Sequence, residues 1–461
     1  MHMCEEQRKI LILGLGNSGW AAAELALQQG NRVIVLDEQG GNELADRAER
    51  LERRGAEVHL EWNHPAWENT AELAIISPGI APDSTLGRLA AALACPVVSE
   101  LEYGFQHAPC PVLAVTGTNG KSTTVELLDH CLRQAGYRSV AAGNIGTALC
   151  DAVRKHPALD YLVVEVSSYQ LEKVRTFRPF AGALLNLSPD HLDRYATVNE
   201  YYRAKLPLLE SISDRERIVL RDDLSHWPLL LEAMPASERG PITFSATASS
   251  ESDFFLDKDG ALRMNSDSGP AILCHRRDLR LKGRHNIENV LAALALGHAA
   301  GLDANLLVKG AQTFPPSPHR LELVGVHDGI QFINDSKSTN PDSLMRAIDA
   351  VAEEIDGKIL LLAGGLDKGL NFTDVKPFLH KHVAQVFLFG NCREKLANLW
   401  RDAVPCKIHS SMQNAFETAL ESAGIGDTVL LSPGCASQDM FRDYAERGRY
   451  FSELIIRSYG Q

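Results

Sequence analysis

The nine cysteines of this 461-residue chain are odd in number, and no two stand in a C-x-x-C arrangement. That spacing argues against a disulfide framework and against a structural zinc site, and it fits a reducing compartment. No uncharged apolar run approaches the roughly 20 residues that span a bilayer. The opening MHMCEEQRKI passes straight into a strand-like segment, without the apolar run and small-residue cleavage site of a secretory leader. The chain is therefore expected in the cytoplasm, with no membrane partner. Basic residues are not in excess either: the formal net charge is −13. Contacts to a phosphate backbone need a basic face, so no nucleic-acid partner is expected. A short-period repeat is also missing, which removes solenoids and propellers.

What is present is a globular composition, 45% apolar, in a chain long enough for about three domains of roughly 100–200 residues. Strand-like segments at 8–13, 32–37, 57–60 and 73–76 alternate with helical stretches at 18–29 and 42–54. Such alternation predicts a parallel sheet with helices on its faces. A second alternating unit opens after Pro109 and Pro111, with strands at 112–117, 138–141, 160–166 and 181–185 and a helix over 121–135. Short strand-like runs among Ser, Asp and Gly over 240–282 predict a small antiparallel insertion, before a helix over 285–300. The Pro-rich stretch 313–319 reads as a linker. A third alternating unit follows, with strands at 330–334, 357–363, 384–389 and 427–431. The expected fold class is α/β in three domains, residues 1–108, 109–316 and 317–461.

Five segments carry chemistry. Gly14-Leu-Gly16-Asn-Ser-Gly19 lies between a strand and a helix, where glycines let the backbone approach a pyrophosphate and the helix N-terminus favours anions. Asp37 ends the next strand, in the place of a ribose ligand. Alone, this turn fits NAD, a flavin, any nucleotide diphosphate, or a plain tight turn. Thr116-Gly-Thr-Asn-Gly-Lys-Ser-Thr123 follows a strand and opens a helix. Its backbone N–H groups suit phosphates, Lys121 suits the β- and γ-phosphates, and Ser122 suits Mg²⁺. Val115 stands where the general pattern has a glycine, so the loop is a shortened one. Downstream, Glu165 ends a core strand, as Mg²⁺ carboxylates do in phosphate-loop domains. His191 and Lys205 follow, and by themselves they read as a loop histidine and a surface lysine. Asn334-Asp335-Ser-Lys337-Ser-Thr339-Asn340-Pro341 places Asp335 and Lys337 on one side of a strand end, or else simply begins a helix. Ser432-Pro-Gly-Cys-Ala-Ser437-Gln-Asp439 is an anion cradle or a plain turn.

Taken in this order, with SPGI (77–80), GNIG (143–146), EVSSYQLE, NLSPDHLDRY, HNIEN (285–289), PHR (318–320) and GGLDK (364–368), these segments resemble the Mur ligases of peptidoglycan synthesis over nearly the whole chain. NDSKSTNP resembles the branch of that family that adds D-glutamate. The resemblance implies a Rossmann-like domain for the UDP-linked substrate over 1–108, an ATP-binding phosphate-loop domain over 109–316 and a Rossmann-like amino-acid domain over 317–461. It implies that Asn17, Ser18, Ser77, Asn144 and His191 hold the UDP substrate. ATP would fall to Gly117, Thr118, Asn119, Gly120, Lys121, Ser122, Thr123, Asn289, Arg320, Asp335 and Lys337. Thr339, Lys368, Ser437 and Tyr444 would form the amino-acid pocket. Ser122, Glu165, His191 and Lys205 would hold Mg²⁺, with Lys205 carbamylated by CO2. Lys121, His191 and Lys205 would serve catalysis. Tyr444 stands where some relatives have Phe. Glu38 and Gln39 replace a Thr-Arg pair of some relatives, which removes one positive contact to the nucleotide. The implied activity is ATP-dependent addition of D-glutamate to UDP-N-acetylmuramoyl-L-alanine through an acyl phosphate, by a monomer acting on small molecules.

Overall fold

Short runs of Val, Ile and Leu, each followed by a helix, demand parallel sheets covered on both faces. The computed structural model describes residues 7–460 apart from 65, 68, 69, 193, 223, 225, 226, 248–250, 267 and 282, and it holds three such sheets. The first contains β1 (Lys9–Leu13), β2 (Arg32–Leu36), β3 (Glu57–His59), β4 (Leu73–Ile76) and β5 (Val97–Ser99) in the order β3-β2-β1-β4-β5, all parallel. Successive residues of β1 and β2 face opposite sides. Ile10, Ile12, Val33 and Val35 pack with Ala22 and Leu25 of the helix Asn17–Gln28. Leu11, Leu13, Ile34 and Leu36 pack with Leu86 and Leu89. The strand order reverses at β1, so its C-terminal end is the switch point where such sheets bind ligands. The Gly14–Gly19 turn leaves from there.

The second sheet contains β6 (Val112–Thr116), β7 (Ser139–Gly143), β8 (Tyr161–Glu165), β9 (Ala181–Leu184), β10 (Ile218–Arg221), β11 (Ile242–Ser245), β12 (Phe254–Leu256), β13 (Ala261–Met264) and β14 (Ala271–His275). Their order is β14-β13-β12-β11-β10-β9-β6-β8-β7. The antiparallel insertion expected over 240–282 is therefore the edge of this sheet. β11 and β12 continue it in parallel, and the direction reverses between β12 and β13. The third sheet contains β15 (Glu322–His327), β16 (Ile330–Asn334), β17 (Ile359–Gly364), β18 (Val383–Phe389), β19 (Cys406–Ile408) and β20 (Thr428–Leu431), in the order β15-β16-β20-β17-β18-β19. Only the β15–β16 hairpin is antiparallel.

The chain divides into two units. The first comprises Met1–Asn186, Tyr202–Cys274 and Asn289–Ala311 and carries the first two sheets. The second comprises Leu187–Tyr201, His275–Glu288 and Gln312–Gln461 and carries the third.

Within the first unit, two glutamates of the helix Glu100–Gln106 tie its elements together. The Glu102 carboxylate accepts backbone N–H bonds from Arg175 (2.9 Å), Thr176 (2.9 Å) and Phe177 (3.0 Å). Burial alone would raise its carboxyl, but the hydrogen bonds from Arg175, Thr176 and Gln106 outweigh that and hold it below the usual range. Glu100 is the opposite case. It is 1% exposed, one oxygen accepts the Cys150 N–H at 2.6 Å, and the other has no hydrogen-bond partner among the described residues. Burial pushes its carboxyl up to about 7, against the Cys150 bonds that lower it.

Between the ordinary 4.5 and about 7, Glu100 therefore binds its proton in the folded chain and loses it in the unfolded one. Its contribution to stability is present below that window and is lost as pH rises through it. Glu100→Gln removes this titration, so the variant should gain on the native chain between pH 5 and pH 8, by up to about 3 kcal/mol. Urea denaturation at unit steps of pH measures this. A difference that does not change with pH would show that Glu100 ionises freely in the fold.

Candidate active site

The phosphate loop leaves the C-terminal end of β6, an interior strand paired with β9 and β8, and opens the helix Lys121–Gln134. Gly120 has φ of +85°, and a Cβ there would stand 2.3 Å from Asn289 Oδ1. Only glycine meets both conditions. Asn289 also receives the Thr124 hydroxyl at 3.4 Å, so it seats directly against the loop and the helix start. Asn186, just after β9, grips the loop from its other flank. Its side chain accepts the Asn119 N–H (2.8 Å) and donates to the Asn119 carbonyl (2.9 Å), while its carbonyl accepts the Thr118 N–H (3.1 Å). Lys121 Nζ donates to the carbonyls of Gly117 (2.9 Å) and Thr118 (2.7 Å). Ser122 and Thr123 are buried.

Lys205 reaches the same loop from a separate segment. It is 1% exposed, and its Nζ donates to the Gly117 carbonyl at 3.1 Å. Two lysine head groups thus share one carbonyl oxygen. Glu165 ends β8 beside β6, in register with Val115. One of its oxygens accepts the Asn144 amide at 3.0 Å, and the other is buried without a hydrogen-bond partner among the described residues. An orphaned buried carboxylate oxygen is costly unless a cation meets it. Among the described residues no three His, Cys, Asp or Glu side chains gather into an all-protein metal site. Mg²⁺ beside phosphates needs only one or two carboxylates, the rest of its shell being water and phosphate oxygen. Glu165 with Ser122 fits that requirement.

At the first sheet, Gly19 lies so close to the turn that a Cβ would meet the Gly14 carbonyl at 1.7 Å. This is the packing that the third glycine of the motif permits. The Ser77 hydroxyl donates to the Gly14 carbonyl at 3.2 Å. Asn17 and Ser18 open the helix at the surface. Asp37 accepts the Leu15 N–H (2.6 Å) and the Gln39 N–H (2.8 Å), so its carboxylate braces the turn. Arg47, from the helix Asn42–Glu52, donates to the Leu15 carbonyl (3.0 Å) and to Asn17 Oδ1 (2.8 Å). A guanidinium therefore stands at this turn although Gln39 brings no charge.

In the second unit, His191 has φ of +54°, a conformation uncommon for a side-chain-bearing residue. Its N–H donates to Asp190 Oδ1 at 2.8 Å, and its ring meets Tyr201 edge-on at 5.8 Å. Asp190 Oδ2 accepts the Asn340 amide at 3.1 Å, which ties this loop to the start of the helix Pro341–Ala352. Asp335 follows β16 and is buried. Its oxygens accept the Ser432 hydroxyl (2.8 Å) and the Leu321 N–H (3.3 Å). Burial pushes its carboxyl up to about 7, against hydrogen bonds from Ser432 and Leu321 and the nearby charges of Arg320 and Arg447. Lys337 Nζ lies 5.0 Å from the centre of the Tyr444 ring, a cation–π contact. Thr339 and Lys368 are half-buried. The Ser437 hydroxyl is buried without a hydrogen-bond partner among the described residues.

Three family models match the chain in series. They are the MurD-like N-terminal domain of Mur ligases over residues 8–99, the Mur ligase middle domain over 115–297 and the Mur ligase glutamate ligase domain over 319–435. The chain belongs to the Mur ligase family. The UDP-N-acetylmuramoylalanine–D-glutamate ligase of Desulfitobacterium hafniense strain Y51 is 35% identical to it over 457 residues, covering 98% of each chain. The ligase of the same name from Thermoanaerobacter pseudethanolicus is 32% identical over 453 residues, 97% of this chain and 98% of that one. Among solved structures, MurF from Acinetobacter baumannii matches with a TM-score of 0.64 at 18% identity, over 97% of this chain and 93% of that one. MurF from Thermotoga maritima, solved in complex with ADP, matches with a TM-score of 0.61 at 15% identity, over 93% and 95%. These likenesses show a shared three-domain fold.

For this Mur ligase, the first unit brings Gly117–Thr123, Asn289, Glu165, Asn144 and Lys205 to neighbouring strand ends, with Asn17, Ser18 and Ser77 at the switch point of the other sheet. The second unit gathers Asp335, Lys337 and Tyr444, with Arg320 near Asp335, and carries His191, Thr339, Lys368 and Ser437. Sequence reasoning missed Asn186, Arg47 and Arg447 as parts of these sites. Asn186 had two signals, its place at the end of the strand beside the phosphate-loop strand and its position at the start of NLSPDHLDRY. The two arginines had none.

Proposed function

We propose that this Mur ligase joins D-glutamate to the carboxylate of UDP-N-acetylmuramoyl-L-alanine with ATP, in peptidoglycan precursor synthesis. The observation that carries this reading is identity along the full chain to ligases bearing that name, and the phosphate loop supplies matching chemistry. A carboxylate oxygen attacks the γ-phosphorus, the bond to the β-phosphate oxygen breaks and ADP leaves. The amine of D-glutamate then attacks the acyl carbon, inorganic phosphate departs, and the amide nitrogen loses its proton. Lys121 and the loop N–H groups stabilise charge on the moving phosphoryl group. Mg²⁺, held by Ser122 and Glu165, supplies charge that screens the triphosphate from the carboxylate substrate.

The roles of the remaining residues follow the same reading. Asn17, Ser18, Ser77 and Asn144 hold the UDP substrate. Asn289, Arg320, Asp335 and Lys337 hold ATP. Thr339, Lys368, Ser437 and Tyr444 line the amino-acid pocket. His191 serves a second Mg²⁺ together with a carbamate on Lys205. The burial of Lys205 against the phosphate loop, where its Nζ reaches the same Gly117 carbonyl as Lys121, supports that carbamate by placing the side chain at the phosphate site. The amine adds CO2 to form an N–C bond and releases a proton, which turns a cation into an oxygen ligand suited to Mg²⁺. The domains divide at 108/109 and 316/317, and the chain works as a cytoplasmic monomer. In support of a soluble setting, no helix among the described residues is long and apolar enough to cross a membrane.

The test is phosphate release with Mg²⁺, ATP and UDP-N-acetylmuramoyl-L-alanine, adding D-glutamate, L-glutamate, L-alanine or diaminopimelate singly. Release that requires both the UDP substrate and D-glutamate, with an amide product by mass, is the expected result. Release with another amino acid would move the chain within the family, and release without any acceptor would make it an ATPase.

A further inference from the structure

Arginine is among the residue types least often buried, and a buried cation ordinarily faces a carboxylate. Arg447, in the first turn of the helix Tyr444–Tyr459, is 0% exposed, yet its hydrogen bonds all go to neutral oxygens. Nε donates to Ser336 Oγ (3.0 Å). One terminal nitrogen donates to the carbonyls of Cys435 (3.0 Å) and Ala436 (3.3 Å), and the other donates to the Ser336 carbonyl (2.8 Å). The Ser336 hydroxyl in turn donates to the Tyr444 carbonyl at 2.8 Å.

The two stretches gripped in this way leave adjacent strands. Asn334 of β16 pairs with Leu431 of β20, and the segments that follow them diverge from that point. Ser336 stands between Asp335 and Lys337, while Cys435 and Ala436 run directly into Ser437. Burial lowers the Arg447 guanidinium to about 10, which leaves it charged at neutral pH. The nearby Asp439 and Asp335 carboxyl groups act on it through space and make no hydrogen bond to it. A buried guanidinium thus stands behind the two loops that carry Asp335, Lys337 and Ser437, with Asp439 and Asp335 as the nearby carboxyl groups.

We propose that Arg447 is a positioning residue for the ligation, holding the Asp335–Thr339 loop in register with the Gly434–Ser437 loop and so setting the geometry of the amino-acid pocket. The inference rests on the substrate reading above and extends it to a residue that touches neither substrate nor nucleotide. Its effect is specific to the loops it holds. The UDP-linked substrate, bound at the first sheet, gains nothing from it.

Arg447→Met should raise the KM for D-glutamate about 100-fold, since truncating a buried charged network costs several kcal/mol, and should leave the KM for the UDP substrate within about twofold. Arg447→Lys keeps the charge while losing the fork, and should recover about tenfold of that loss. Ser336→Ala removes a single small hydroxyl, and should raise the D-glutamate KM a few-fold while the chain still folds, with a melting temperature lowered by several degrees. It keeps the proposal testable if the methionine variant does not fold. Equal rises in all three substrate KM values, or a lysine variant no better than methionine, would overturn the proposal. Failure of the native enzyme to use D-glutamate would instead overturn the substrate reading, and that control is run first.

Discussion

Replacing Lys121 with alanine is expected to lower ATP-dependent phosphate release by about 10³-fold, since one preorganised positive group aimed at a developing anion is worth about 3–4 kcal/mol. Affinity for the UDP-linked substrate should stay within about twofold, because the two sites share no side chain. The contrast follows from where the residues stand. Lys121 opens a helix after β6 and lies over the carbonyls of Gly117 and Thr118. Asn17, Ser18 and Ser77 stand at the switch point of a different sheet, around a turn braced by Asp37 and Arg47. Lys121→Arg should rescue little, because the planar guanidinium is larger than the ammonium and cannot occupy the same place above two carbonyls. Single-turnover phosphate release and calorimetric titration with the UDP substrate separate the two quantities. A loss of UDP-substrate affinity as large as the loss of turnover would mean that the two phosphorylated ligands do not occupy separate sheets.

Much of the architecture was legible because apolar runs buried on both faces leave an unmistakable trace. The strands expected at 73–76 and 330–334 form as Leu73–Ile76 and Ile330–Asn334, and the helix expected over 121–135 forms as Lys121–Gln134. The chemical motifs were legible for a related reason. A glycine with φ of +85° tight against Asn289 tolerates no substitute, so the loop geometry is written into residue type. Elements that depend on distant partners were harder to read. β15 keeps Leu323 and Val326 exposed and carries Gly325 at a bulge, so its burial pattern resembles a loop as much as a strand. Arg447 sits in a charged stretch, Ala-Glu-Arg-Gly-Arg, that reads as a solvated helix face. Its burial arises because β16 and β20 are neighbours whose paired ends, Asn334 and Leu431, are 97 residues apart in sequence. Asp37 shows the converse. Its position after β2 suggests a ribose ligand, yet the fold uses its carboxylate on the Leu15 and Gln39 N–H groups.

Lys205 presents the sharpest choice between two chemical states of one side chain. As an ammonium it is a second cation on the Gly117 carbonyl, beside Lys121 and 1% exposed. As a carbamate it is an anion that would neutralise Lys121 and offer oxygens to Mg²⁺. The two states predict opposite outcomes for one substitution. If the positive charge matters, Lys205→Arg should retain much of the activity. If the carbamate matters, Lys205→Arg should be as poor as Lys205→Ala, with both about 10²–10³-fold below the native enzyme, as expected for losing a group that organises transition-state charge. We expect the second outcome. Acetate or formate should then partly restore Lys205→Ala, because a small carboxylate fits the space left by the longer side chain, and should not restore Lys205→Arg, whose guanidinium fills it. Stripping CO2 from the buffer should reversibly lower native activity, and ¹³C-labelled bicarbonate should give a carbamate resonance that disappears in both variants. Full native activity without CO2, together with an active Lys205→Arg, would return Lys205 to the role of a buried ammonium holding the phosphate loop by its Gly117 carbonyl.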